Sequence, residues 1–162
     1  MNTRKKLVIA LPIALLFFGL LGCGTSNHLR TITLTAANST GTFGIKGINN
    51  VLQLKAVGNY SSTQTRALTN EVTYVITPVG TTVTGAPLPI PPQGMGINAT
   101  GLAVATDPAI CTYTNVGTAT SASYALTGWY EVVASFQGIS SQPVAIGIAS
   151  ATGDGPNSAC GP

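Results

Sequence analysis

Few side chains in this sequence could do chemistry, and their types and spacing set the first limits on function. There is one histidine, His28, and four acids, Glu71, Asp107, Glu131 and Asp154, each isolated from the others. General acid–base or nucleophilic catalysis needs convergent titratable groups. A Ser-His-Asp or Cys-His arrangement would have to recruit His28 from a short leader at the start of the chain. No two acids lie within a few residues of each other, and zinc would find only dispersed ligands. Asp107 and Asp154 could meet around calcium, but two solvated loop carboxylates are the simpler expectation. No Gly-rich loop sits between a strand and a helix, which removes the usual phosphate cradle. The expectation is a non-catalytic protein with no cofactor and no metal.

The three cysteines, Cys23, Cys111 and Cys160, need separate treatment. Cys23 ends the stretch RKKLVIALPIALLFFGLLGCG, in which three basic residues precede an apolar run from Leu7 to Leu21. That run is roughly fifteen residues, short of the ~20 a spanning helix needs, and a signal peptide fits better. Leu20-Leu21-Gly22-Cys23 resembles the lipobox of bacterial lipoproteins. The resemblance implies cleavage after residue 22, a diacylglyceryl group on the Cys23 sulfur and an acylated new N-terminus. Two or three acyl chains hold a protein stably, where one does so only marginally. Gly24 stands where an aspartate would signal retention at the inner membrane, so a cell-envelope protein on the outer membrane is expected, by analogy with well-studied diderm bacteria.

Loss of the signal changes the charge balance. The whole chain carries a formal +3, but Arg4, Lys5 and Lys6 leave with the signal. Arg30, Lys46, Lys55 and Arg66 then face the four acids, and the mature chain is near neutral. No basic patch is left to neutralise phosphates, so nucleic acid is not an expected partner.

The remaining chain is long enough for one domain with a real core. It is rich in Thr, Ser, Gly, Ala and Val and lacks helix-forming runs, as an all-β module would be. Residues 23–30 form a short lipidated tether, 31–150 the domain, and 151–162 a Gly/Pro-rich tail. Period-two alternation predicts strands at Thr31–Thr35, Val51–Gly58 and Val72–Thr77. Two short segments, Met95–Ala99 and Leu102–Ala105, flank a tight turn at Thr100-Gly101. A terminal hairpin is expected from Trp129–Phe136 and Pro143–Ala149. Prolines mark 78–94 as a loop, and 38–50 and 106–128 also read as irregular. About seven short strands with turn signals between them point to a two-sheet sandwich of immunoglobulin type, with an open meander or small barrel as the alternative.

Three segments carry a family resemblance: LQLKAVGNYSSTQTRALTNEVTYVIT, INATGLAVA and YEVVASFQGISSQPVAIGI. In order and spacing they resemble the group 2 bacterial immunoglobulin-like domains of surface proteins and adhesins, over roughly half of the mature chain. The resemblance implies the sandwich fold and a role in adhesion, with no shared catalytic residues. The chain departs from the pattern at Tyr74, where tryptophan is typical, in the long 78–94 loop, and in the insertion of about twenty residues before Trp129.

In an exported protein an even cysteine pair reads as a disulfide, here Cys111 with Cys160. Strand alternation places the loop bearing Cys111 and the exit of the last strand at one pole, and the tether at the other. The bond would pin the tail, and closing a loop of about fifty residues stabilises by up to ~4 kcal/mol in the chain-entropy model. Trp129, Tyr124 and Tyr113 lie in or beside the long insertion; packing as a satellite core under that loop is the simpler expectation, and they are also the candidate contacts for a protein or glycan partner. Adhesion or assembly with another surface component is thus the first functional expectation. A carbohydrate-binding module and a structural spacer or accessory subunit are the alternatives.

Radiolabelled palmitate should enter the wild-type protein and not Cys23→Ser; label retained by the variant would refute lipidation at Cys23.

Overall fold

The computed structural model describes residues 27–37, 44–46, 50–107, 110–117 and 124–149. The expected signal peptide, Cys23, and the whole of the expected tail, with Asp154 and Cys160, lie outside the described residues. Among the described residues the regular structure is all β, in a sandwich-like arrangement of sheets.

The first sheet is built on β3 (Val51–Tyr60). β1 (Leu29–Ala36) runs antiparallel along one of its edges, from Leu29 opposite Tyr60 to Ala36 opposite Leu54. The other edge is shared by β4 (Thr65–Ala67) and β7 (Leu102–Ala105), and β6 (Met95–Ile97) completes the sheet beyond β7. Alternation dictates which side chains go inside: Ile32 and Leu34 of β1, Leu52, Leu54 and Ala56 of β3, and Ala103 and Ala105 of β7 are all buried. Their odd-parity neighbours Thr31, Thr33, Thr35 and Lys55 are exposed. This is the half-buried pattern that period-two alternation requires.

The second sheet is built on β10 (Gly128–Phe136). β5 (Thr73–Gly80) pairs with it from Ser135 opposite Thr73 to Gly128 opposite Gly80. Along the other edge lie β11 (Ile139–Ser140) and β12 (Val144–Ala149). β2 (Gly44–Lys46) then runs parallel to the end of β12. Tyr130, Val132 and Ala134 from β10, Ile146 and Ile148 from β12 and Ile45 from β2 are buried against the first sheet.

Several expectations meet a more ordered chain. The Thr100-Gly101 hairpin is present, and its turn is built by Asn98, whose Oδ1 accepts hydrogen bonds from the amides of Thr100 and Leu102, both at 3.0 Å. The third expected strand runs on through Pro78 to Gly80. β2 and β4 arise within stretches that composition marks as loops, because each needs only three residues to add to an existing edge. The long insertion likewise contains a hairpin, β8 (Tyr113–Asn115) with β9 (Tyr124–Leu126).

The two poles are distinct. At one, residues 27 and 28, which lead into β1, lie beside the turn after β3, where the His28 carbonyl accepts from the Ser61 amide at 3.0 Å. Asn27 Oδ1 also accepts from the Ser62 hydroxyl there, at 2.8 Å. At the other pole lie the end of β5, the start of β10, the exit of β12 and the long connections that follow β5 and β7.

Candidate functional site

The far pole is organised by the segment that precedes β8. Thr112 is fully buried and inserts beside the end of β12. Its amide donates to the Ile148 carbonyl at 2.9 Å, and its hydroxyl oxygen accepts from the Ile148 amide at 2.9 Å. Its carbonyl accepts from the Thr127 amide at 2.8 Å, and Thr127 in turn accepts from the Thr81 amide at 3.1 Å. Residues beyond β5, before β10, in the insertion and at the end of β12 are therefore stitched into one line. No apolar side chain could replace Thr112 in it, since a buried backbone amide needs an acceptor.

Two consequences follow for the residues singled out by sequence. Cys111 is buried, and its carbonyl accepts from the Val83 amide at 2.9 Å. It therefore sits next to the exit of β12. Tyr113 and Leu126, paired across β8 and β9, lie over Gly147, where a β-carbon would collide with both side chains. The hairpin thus covers the face of β12 opposite the core, and burial raises the Tyr113 hydroxyl above the ordinary tyrosine pKa.

Trp129 stands elsewhere. It lies opposite Val79 of β5 on the side of β10 away from Tyr130, half-buried, with its indole N–H donating to a Glu131 carboxylate oxygen at 3.4 Å. The backbone of Tyr124 pairs with Asn115 in the hairpin, while its side chain is outside the described residues. Glu71 forms an ion pair with Arg66 near the near pole.

Sequence reasoning missed the cleft at the far pole. Pro89, Pro92, Gln93, Gly94, Thr106 and Asp107 line an open hollow of about 430 Å³. The peptide between Pro91 and Pro92 is cis. Thr106 ties the two walls together, its amide donating to the Gly94 carbonyl at 2.9 Å and its hydroxyl to the Pro92 carbonyl at 3.1 Å. Tyr130 tethers the Pro89 wall by donating its hydroxyl to the Pro89 carbonyl at 3.1 Å. Gly94, at φ +82°, leaves room for that hydroxyl, which any β-carbon there would strike. Burial, reinforced by the Asp107 carboxylate, pushes the Tyr130 hydroxyl up to about 12, so it stays protonated and donating at neutral pH. Ile90, on the rim beside Pro89, is 77% exposed. The available sequence signal was the Pro-rich run itself, which marked a loop without showing what it folds against.

The arrangement offers a shaped, nearly uncharged surface and no acid–base pair. Among the described residues no group of three or more His, Cys, Asp or Glu side chains could hold a metal ion. No protein-family model matches the chain, and no curated protein matches it.

Thr112→Val, nearly isosteric, should destabilise the protein by on the order of 1–3 kcal/mol in chemical denaturation, because the Ile148 amide loses its acceptor. Thr112→Ser, which keeps the hydroxyl, should lose clearly less; equal stability of Val and wild type would contradict this account.

Proposed function

We propose that the chain is a lipid-anchored, non-catalytic cell-envelope protein of immunoglobulin-like architecture, whose membrane-distal loops mediate adhesion or assembly with another surface component. The observation that carries this reading is the separation of the poles. Asn27 and His28, which lead into β1, lie at one, and the Pro-rich loop, the cleft and the exposed Ile90 gather at the other. An anchor at Cys23, a few residues before Asn27, would hold the first pole towards the membrane and turn the second away from it.

The strand order supports the finer architecture. One sheet runs β1-β3-β7-β6 and the other groups β5, β10 and β12, with β2 added parallel to the last strand. Such an order suits two sheets joined by Greek-key crossings in an immunoglobulin-like sandwich. The proposed Cys111–Cys160 disulfide draws support from the buried place of Cys111 beside the exit of β12, eleven residues before Cys160. Peptide mapping under non-reducing conditions should recover Cys111 joined to Cys160, and free thiols at both would remove that bond from the reading.

An exposed apolar residue on a shaped rim is a common anchor for a protein partner. Ile90→Asp should abolish capture of a fixed envelope partner without unfolding the domain, whereas Thr65→Asp near the opposite pole should leave capture intact. The reverse pattern would place the contact at the wrong pole. Glycan binding that is lost in Trp129→Ala would instead favour the carbohydrate-binding alternative.

A further inference from the structure

Among the described residues, β5 forms one edge of the second sheet, and the orientation of its backbone follows from that of β10. The Ala134 main chain turns away from β5: its amide donates to the Ser141 hydroxyl oxygen at 3.0 Å, and its carbonyl accepts from the Ser141 amide at 2.8 Å. Even-numbered residues of β10 therefore turn their N–H and C=O groups away from β5, and odd-numbered ones turn towards it. With Ala134 opposite Tyr74 and Val133 opposite Val75, the ladder to β10 uses Thr73, Val75, Thr77 and Val79. Tyr74, Ile76 and Pro78 point their main-chain groups to the open edge. Pro78 fits this assignment, because it lacks an N–H and is tolerated only where no ladder bond is needed.

Among the described residues no strand pairs with this edge. Sheet edges of this kind are ordinarily blunted by charge or proline. Here Pro78 blocks the distal half, but Thr73–Thr77 is open, uncharged and rich in residues that favour strands. At its centre Val75 is 54% exposed.

We infer that the Thr73–Thr77 edge is a self-association site that pairs antiparallel with the same segment of a second copy about a two-fold axis at Val75. In that register Tyr74 and Ile76 of each copy exchange main-chain hydrogen bonds, and neither faces Pro78 of the other copy. Val75 meets its own symmetry mate as a non-hydrogen-bonded pair, the geometry in which side chains approach closest. Thr73 faces Thr77 of the second copy.

The occupant is identified by charge. The segment itself has none, so the two-fold axis brings no like charges into contact. Glu71, two residues before the segment, is ion-paired with Arg66, and Glu131, opposite Thr77 on β10, would have its symmetry mate three strand spacings away, roughly 14 Å. That exceeds the ~8–10 Å screening length at physiological salt. The pairing would join two second sheets into one continuous sheet and leave both far poles free.

The full-length chain in detergent tests this directly. Val75→Cys under mild oxidation should give a disulfide-linked dimer, since directly opposed residues of such a pair meet the Cα separation a disulfide needs. Thr73→Cys alone should not cross-link, but mixed with Thr77→Cys it should. Val75→Lys should weaken association roughly tenfold or more in sedimentation equilibrium, with unchanged thermal unfolding, because like charges would then oppose each other. A wild-type chain that stays monomeric into the millimolar range, or Thr73→Cys linking as readily as Val75→Cys, would overturn the inference. Cross-linking of Val75→Cys only to a different protein would overturn the choice of a second copy.

Discussion

Much of the molecule hangs on one reciprocal hydrogen bond, between Thr112 and Ile148. The buried hydroxyl of Thr112 stands in for a carbonyl and accepts the Ile148 amide, while the Thr112 amide returns a bond to the Ile148 carbonyl. A side chain thereby continues a sheet beyond the point where its backbone ladder stops. A buried amide left without an acceptor is costly, and this demand holds the insertion in a single place. From that point the β8–β9 hairpin lies over Gly147, Cys111 sits at the exit of β12, and the residues before β10 keep their alignment with the end of β5.

The same constraint shapes the far pole. Once Thr127 is held between Thr112 and Thr81, β10 starts where the Tyr130 hydroxyl reaches the Pro89 carbonyl of the Pro-rich loop. The Tyr130 hydroxyl and the two bonds from Thr106 fix a loop that has few strand bonds of its own. Rigidity at such a rim lowers the ordering cost of binding. The near pole is simpler, a turn held by Asn27, Ser61 and Ser62. In the proposed function the near pole is the end for attachment and the far pole the end for contact.

Legibility in the sequence followed the physical range of each interaction. Strands β1, β3, β7 and β10 were readable because alternation is local and burial of Leu54, Ala103 or Val132 enforces it over successive residues. The turn at Asn98–Gly101 was readable for the same reason, as Asn and Gly carry their own turn chemistry. β2, β4 and the β8–β9 hairpin were not, since three-residue strands have no periodicity to detect and exist only because an edge is waiting. The aromatic residues show the limit most clearly. Trp129, Tyr113 and Tyr124 are close in sequence, yet Tyr113 covers Gly147 while Trp129 lies beside Val79 and Glu131.

By itself the sequence determined an all-β domain, the core parity of its long strands and the scarcity of groups for catalysis. These depend on composition and on neighbours one or two residues apart. Tertiary structure alone decided that Thr112 joins the insertion to the end of β12, that a cleft lies between Pro89 and Asp107, and that among the described residues the unpaired edge of β5 presents the main chain of Tyr74 and Ile76. Each of those depends on contacts between segments tens of residues apart, where the partner of a hydrogen bond is chosen by folded geometry and leaves no periodic mark in the chain.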